Sequence, residues 1–143
     1  MTIRYTSQVE ATTPATPDEA HAYFSRKLRC ETDAYDVHHD LSRGIGSFVV
    51  LDVRSHADYL VAHVPGAISL PYAQISEARL REFPDDTLFV VYCWGPGCNG
   101  ATKAAVRLSA LGYAVKEMLG GIEYWQREGY AIAQGSGETQ TAR

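Results

Sequence analysis

Cys93 lies where an apolar, β-branched run gives way to a glycine-rich turn. Residues 88–92 are typical of a buried strand, and residues 94–100 contain three glycines, a proline and an asparagine. Glycines let successive backbone N–H groups face an anion, and the helix predicted after the turn directs its positive end to the same point. Both effects favour thiolate over thiol, so we expect the pKa of Cys93 to lie below the free-cysteine value of about 8.5. Cys93 is therefore the candidate nucleophile.

The turn after Cys93 is the candidate anion and substrate cradle. A cysteine that ends an apolar strand is often only a small core residue, but strand-to-helix connections usually need just 2–6 residues, few of them glycine. A phosphate-binding loop is excluded because the glycine-lysine-serine/threonine ending is absent. We therefore predict that the turn holds an anion on, or attacked by, Cys93. The predicted substrate-binding residues in it are Trp94, Gly95, Pro96, Gly97, Cys98, Asn99 and Gly100.

A second cysteine lies in the same turn, five positions after the first. In one interpretation Cys98 resolves a persulfide or sulfenate on Cys93 as an intramolecular disulfide. In the other, Cys98 packs inside the loop and contributes only its backbone N–H group. Cys30, near the end of the first predicted helix, has no comparable setting and is assigned a structural role.

The composition indicates one compact domain. The chain has 143 residues, of which 45% are hydrophobic and 21% charged. A net charge of -4 and a pI near 5.7 argue against a nucleic-acid partner. The first residues lack an apolar signal core, and no apolar run approaches the roughly 18 residues of a membrane span. With three cysteines and no disulfide framework, we expect a cytoplasmic protein without a membrane partner.

The order of elements predicts an α/β fold. A helix begins with Thr16 as N-cap and runs to about residue 29, and a second begins at Asp33. Residues 48–53 and 88–92 are continuous apolar runs typical of buried parallel strands, residues 115–119 form a less clear third, and a helix ending at Gly112 separates the last two. We predict a mostly parallel central sheet covered by helices on both faces, with the site at the carboxyl ends of the strands.

These elements divide the chain into three predicted segments. Residues 1–32 form an N-terminal extension with one helix, whose apolar stripe of Ala20, Tyr23, Phe24 and Leu28 is predicted to pack on the domain. Residues 33–133 form the domain itself. Residues 134–143 are polar and glycine-bearing, and we expect them to be disordered.

Sequence segments spread over roughly residues 33–130 together resemble the rhodanese-like sulfurtransferases. They are Leu51-Asp52-Val53-Arg54, Asp58-Tyr59, His63-Val64-Pro65-Gly66-Ala67-Ile68-Ser69-Leu70-Pro71, Val91-Tyr92-Cys93 and Gly120-Gly121-Ile122-Glu123-Tyr124-Trp125. The resemblance implies the three-layer rhodanese fold and a sulfur carrier without a cofactor. In such a carrier the Cys93 thiolate takes sulfane sulfur from thiosulfate or a persulfide, holds it as a cysteine persulfide and passes it to a thiophilic acceptor.

The loop departs from the family pattern in length and charge. It is longer than usual and lacks the arginine that often ends it, so the first basic residue is Lys103 and thiosulfate is expected to be a poor donor. The phosphatase relatives of the fold need an arginine where Asn99 stands. Arg54 is a further substrate-binding candidate that would attract an anionic donor, or else an ion-pair or loop anchor. Trp94 either shields the intermediate or packs the loop.

Metal binding is not expected. The adjacent histidines His38 and His39 point to different sides of a helix, and His63 is predicted to brace a turn. The predicted partners are a small-molecule or protein sulfur donor and acceptor. Two other functions stay open, namely a thiol-disulfide switch using Cys93 and Cys98, and a noncatalytic binding module.

Overall fold

The computed structural model describes residues 4–136 and 138–140. The helices are α1 (Pro17–Cys30), α2 (Ala34–Ser42), α3 (His56–Val61), α4 (Glu77–Leu80), α5 (Gly100–Ala110) and α6 (Gly121–Arg127), with a 3-10 turn at Tyr72–Gln74. The strands are β1 (Glu31–Asp33), β2 (Val49–Asp52), β3 (Ile68–Ser69), β4 (Leu88–Tyr92), β5 (Ala114–Leu119), β6 (Ile132–Gln134) and β7 (Glu138–Gln140). Over these residues, no helix combines the length and the apolar character needed to cross a bilayer.

The central sheet has the strand order β1-β5-β4-β2-β3, with each neighbouring pair parallel. Asp52 at the end of β2 pairs with Tyr92 at the end of β4, so these two strands end level with each other. Parallel strands bring their carboxyl ends to one edge of a sheet, where sites form in such folds. The predicted α/β architecture with a parallel sheet is confirmed.

Helices cover both faces of the sheet. Alternate residues of β4 point to opposite sides, so Val90 and Tyr92 belong to one apolar cluster and Phe89 and Val91 to the other. The first cluster includes residues of α2 and α6, and the second includes residues of α4 and α5. The domain is therefore the predicted three-layer structure, and its central strand is buried from both sides.

The capping signals in the sequence correctly predicted two helix starts. Thr16 Oγ1 accepts a hydrogen bond from the Glu19 N–H at 3.3 Å, and Asp33 Oδ1 accepts one from the Asp36 N–H at 2.9 Å. These side chains satisfy backbone donors that have no partner inside the helix. The uncertain third strand is also present, as β5.

The prediction for the apolar stripe of α1 was wrong. Tyr23, Phe24 and Leu28 are 55%, 59% and 73% exposed, and no residue of α1 is buried. The helix leads into β1, which lies at the edge of the sheet, so little domain surface is available for the stripe to cover. The short strand β1 itself was not predicted, because its three residues include two acids and show no apolar alternation.

The tail differs from the expected disorder where it is described. Strands β6 and β7 pair antiparallel, with Ile132 opposite Gln140. The strand β6 is anchored by an antiparallel bridge between Ala133 and His63, which exchange two backbone hydrogen bonds of 2.9 and 3.0 Å. Residues 137 and 141–143, also part of the predicted disordered segment, lie outside the described residues.

Replacement of Leu108 by alanine tests the packing of α5 on the sheet. Leu108 is fully buried, so Leu108→Ala should lower the free energy of unfolding by about 2–5 kcal/mol through lost contacts and a cavity. The matched control on the same helix is Val106→Ala, at a side chain 64% exposed, which should change stability by less than about 0.5 kcal/mol. Urea unfolding of both variants is the measurement, and equal effects would contradict this packing.

Candidate active site

Cys93 directly follows β4 and lies beneath the first residue of α5. Its side chain is only 8% exposed and packs in the apolar cluster that contains Ala101. A Cβ on Gly100 would come within 2.7 Å of the Cys93 Sγ and 3.5 Å of the Cys98 Sγ. A bare backbone at position 100 is therefore required for the helix to begin directly over both sulfur atoms.

The start of α6 holds the other side of Cys93. The Ile122 N–H donates to the Cys93 carbonyl at 3.1 Å, and the Glu123 N–H donates to the Trp94 carbonyl at 2.9 Å. These bonds satisfy first-turn donors of α6 and fix the backbone just before the loop turns away. Gly121 has a φ of +57°, and a Cβ there would overlap the Cys93 carbonyl oxygen.

The two cysteines of the loop are in direct contact. The Sγ atoms of Cys93 and Cys98 lie 2.8 Å apart, within hydrogen-bond distance, with both cysteines in the free form. The Gly100 N–H donates to the Cys98 Sγ at 3.5 Å. The sulfurs therefore form a contacting pair in which Cys98 accepts the backbone N–H at the helix start.

Within this pair the lower pKa belongs to Cys98. Burial, reinforced by the hydrogen bond to Cys98, raises the pKa of Cys93 to about 12. Burial alone raises the pKa of Cys98 too, but the hydrogen bonds from Cys93 and from backbone N–H groups, together with Lys103, bring it below its ordinary value. The expectation of a lowered pKa for Cys93 was wrong, because burial and the hydrogen bond with Cys98 outweigh the lowering effect of the Trp94 N–H.

A buried charged network lies beside the loop. Asp52 is fully buried and accepts hydrogen bonds from Arg54 Nη2 at 2.7 Å and from the Tyr92 hydroxyl at 2.8 Å. The Tyr92 hydroxyl in turn accepts from the Val64 N–H at 3.1 Å. Burial, together with the charge of Asp52, raises the pKa of Tyr92 well above its ordinary value. The tyrosine therefore stays a neutral donor that ties β4 to the segment after α3.

Arg54 faces this network and the ring of Trp94. Its guanidinium also donates to the Ala62 carbonyl at 2.6 Å, and its Cζ lies 4.5 Å from the centroid of the Trp94 ring. Burial lowers the pKa of Arg54, but the Asp52 carboxylate more than compensates and raises it. These contacts favour the anchor interpretation of Arg54, and attraction of a donor by this residue stays a prediction.

Two cavities meet at the cysteine pair. The larger, of about 680 Å³, is lined by Trp94, Gly95, Pro96, Gly97, Cys98, Ile122, Glu123, Gln126 and Arg127. The smaller, of about 240 Å³, is lined by Cys93 and Cys98 among others. Five of the predicted substrate-binding residues, 94–98, thus line the larger cavity. Asn99 instead precedes α5, and its backbone carbonyl accepts a hydrogen bond from the Lys103 N–H. Arg54 lines neither cavity.

The comparisons with known proteins agree with this geometry. The model of the "Rhodanese-like domain" family matches residues 36–128. The chain belongs to the rhodanese-like domain family. The crystal structure of the BH2092 protein from Bacillus halodurans is 41% identical, with a TM-score of 0.82 over 85% of this chain and 89% of that one. The recognised resemblance and the rhodanese-like fold are confirmed.

Two curated relatives contain the same domain within longer proteins. The HTH-type transcriptional regulator Rv0324 of Mycobacterium tuberculosis is 34% identical over 94 residues, which are 66% of this chain and 41% of the regulator. The adenylyltransferase and sulfurtransferase uba4 of Ogataea parapolymorpha is 27% identical over 81 residues, which are 55% of this chain and 20% of that protein. The chain therefore spans less than half the length of either relative.

The histidines of this rhodanese-like domain have structural contacts. His38 stacks on Tyr130 with ring centroids 3.8 Å apart, and the Nδ1 of buried His63 lies 2.8 Å from the Tyr59 carbonyl, at the turn after α3. In the part of the chain that the structure describes, no three His, Cys, Asp or Glu side chains form a group able to hold a metal ion.

The contribution of α6 was missed among the site residues. Glu123 lines the larger cavity, and a Cβ on Gly95 would approach its Oε2 to 2.8 Å. The available signal was the Gly120-Gly121 pair directly after a strand, since consecutive glycines there indicate close backbone approach.

Replacement of Gly121 by alanine tests the close packing behind Cys93. Gly121→Ala combines an unfavourable positive φ with overlap on the Cys93 carbonyl, whereas the control Gly129→Ala has a φ of +77° and open space around it. Gly121→Ala should therefore reduce stability by about 1–3 kcal/mol more than Gly129→Ala, as measured by denaturant unfolding. Equal losses in the two variants would show that only backbone conformation matters at position 121.

Thiol alkylation tests the distribution of charge in the cysteine pair. At pH 7 the reduced protein should react with iodoacetamide faster at Cys98 than at Cys93, because only the thiolate reacts and the lower pKa belongs to Cys98. The Cys98 rate should rise with pH through a midpoint below that of an ordinary cysteine. Peptide mass spectrometry with exposed Cys30 as internal reference gives the rates. Faster labelling of Cys93 would contradict this assignment.

Proposed function

We propose that this domain is a sulfurtransferase that carries sulfane sulfur as a persulfide on Cys93. The observation that carries the proposal is the place of Cys93, at the carboxyl end of β4 and directly under the bare backbone that begins α5. The resting Cys93 is a thiol, but a persulfide on it carries its negative charge on the outer sulfur, which the positive end of the helix stabilises without a side chain in the way. Membership of the rhodanese-like family and the relation to a sulfurtransferase-named protein support the same chemistry.

Cys98 is placed to act as a base that speeds the reaction of Cys93, whose pKa is raised. The pKa of Cys98 is lowered, and its Sγ is 2.8 Å from that of Cys93. As Cys93 attacks the outer sulfur of the donor, its proton passes to Cys98, which follows the general arrangement of a nucleophile activated by an adjacent base. With an organic persulfide the leaving group is a thiolate, and with thiosulfate it is sulfite. The sulfur then stays on Cys93 as a persulfide until a thiophilic acceptor takes it.

An organic persulfide suits the larger cavity better than thiosulfate. Apolar side chains of Trp94, Pro96 and Ile122 line it, and Arg127, the arginine on its wall, is paired with Glu123 at 3.7 Å. A small dianion gains little from such walls, whereas the carbon skeleton of a thiol persulfide buries apolar surface there. The donor and acceptor are small molecules or proteins, and reduced cysteines fit the expected cytoplasmic location.

Intact mass spectrometry tests the carrier. Reduced protein incubated with thiosulfate, or separately with a low-molecular-weight persulfide, should accept sulfur at Cys93, faster from the persulfide. A Cys98→Ser variant, in which Cys93 is the remaining loop thiol, should gain one sulfur of about 32 Da. The gain should disappear in Cys93→Ser and persist in the matched control Cys30→Ser/Cys98→Ser, because Cys30 is an exposed thiol outside the loop.

A noncatalytic module is the second candidate function. The observation that favours it is the relation to the domain within an HTH-type transcriptional regulator. Absence of any mass change in every variant with both donors would contradict sulfur transfer and leave the module. A gain that survives Cys93→Ser would contradict the assignment of Cys93.

A further inference from the structure

Gly100 lies against both loop sulfurs. A Cβ at this position would approach both the Cys93 Sγ, at 2.7 Å, and the Cys98 Sγ, at 3.5 Å. The sulfurs themselves are 2.8 Å apart, which is longer than the roughly 2.05 Å of a disulfide bond but needs only a small side-chain movement to close. Four residues lie between them along a glycine-containing loop, and the folded site brings them into contact.

Cys98 lines both cavities at the site, whereas Cys93 lines only the smaller one. A second sulfur bonded to the Cys93 Sγ would occupy the smaller cavity, between Ala101, Gly121 and Tyr124. The Cys98 Sγ already lies next to the Cys93 Sγ before any sulfur is loaded. A thiol acceptor from solution must instead first enter the site.

We propose that Cys98 resolves the persulfide on Cys93, which makes the domain a reductase of sulfane sulfur as well as a carrier. This inference rests on the proposed function, since it begins from the Cys93 persulfide. The site then has two outcomes. A thiophilic acceptor removes the outer sulfur, or, when none arrives, Cys98 releases that sulfur as hydrosulfide.

The resolving step balances without an external oxidant. After loading from an organic persulfide, the departing thiolate takes the proton held by Cys98 and leaves as a thiol. The Cys98 thiolate then attacks the inner sulfur, the Cys93 Sγ, and a Cys93–Cys98 disulfide forms as the bond to the outer sulfur breaks. The outer sulfur leaves with its proton as HS⁻. The two cysteines are oxidised and the sulfane sulfur is reduced by two electrons.

Proximity and charge both favour this step over attack from solution. Intramolecular reactions between held groups have effective concentrations far above those of free thiols in solution. The lowered pKa of Cys98 gives it a larger fraction of the attacking thiolate form than an ordinary cysteine has at the same pH. One round of sulfide release needs no external reductant, because the two protein thiols supply the electrons. A second round requires an external dithiol, which reduces the Cys93–Cys98 disulfide by thiol-disulfide exchange.

The test compares Cys30→Ser with Cys30→Ser/Cys98→Ser, so that the loop cysteines alone are followed. Each protein is reduced, freed of reductant, treated without oxygen with one equivalent of a low-molecular-weight persulfide or of thiosulfate, and quenched with an alkylating agent. Intact mass and free sulfide are measured together, with Cys30→Ser/Cys93→Ser as the blank for sulfide from the donor itself.

The protein that retains Cys98 should lose about 2 Da as a disulfide and release about one equivalent of sulfide. The Cys98→Ser protein should keep its extra sulfur of about 32 Da and release no sulfide above the blank. A persistent gain of sulfur without sulfide release in the protein that retains Cys98 would overturn the resolving role while leaving the carrier intact. No mass change in either protein would overturn the carrier, and the resolving role with it.

Discussion

The site depends on glycine at positions 100 and 121, where the backbone lies so close to Cys93 that a side chain would collide with it. On one side Gly100 places the start of α5 against the sulfur, and on the other Gly121 places the start of α6 against the Cys93 carbonyl. Two helix N-termini thus converge on one residue at the end of β4, one near its sulfur and one on its carbonyl oxygen. The fold around them buries Cys93, which lines the smaller cavity.

The Asp52 network connects this point to the rest of the sheet. Asp52 and Tyr92 are paired across β2 and β4, and the carboxylate also holds Arg54, whose guanidinium supports the Trp94 ring. A buried carboxylate needs such partners, since an unpaired one would be strongly destabilising. The same charge lies near the cysteines and adds to the high pKa of Cys93. The network therefore positions the loop but disfavours a thiolate on Cys93.

Local sequence signals predicted the elements well and the electrostatics poorly. Helix capping by Thr16 and Asp33, the apolar strands and the glycine turn near Cys93 each depend on only a few neighbouring residues. Their spacing in the sequence is therefore enough to predict them. The edge strand β1 exists only through pairing with β5, and the exposed stripe of α1 depends on where the helix lies. Which sulfur carries the charge depends on burial and on the 2.8 Å contact between Cys93 and Cys98, and neither can be read from their spacing.

A crystal structure of the Cys98→Ser variant loaded with a sulfane-sulfur donor tests the central claim most directly. The account predicts one additional sulfur atom bonded to the Cys93 Sγ, in the small cavity beneath the first residue of α5, with the glycines at positions 100 and 121 unmoved. An unmodified Cys93 in crystals of loaded protein, or extra sulfur only on Cys30, would contradict it.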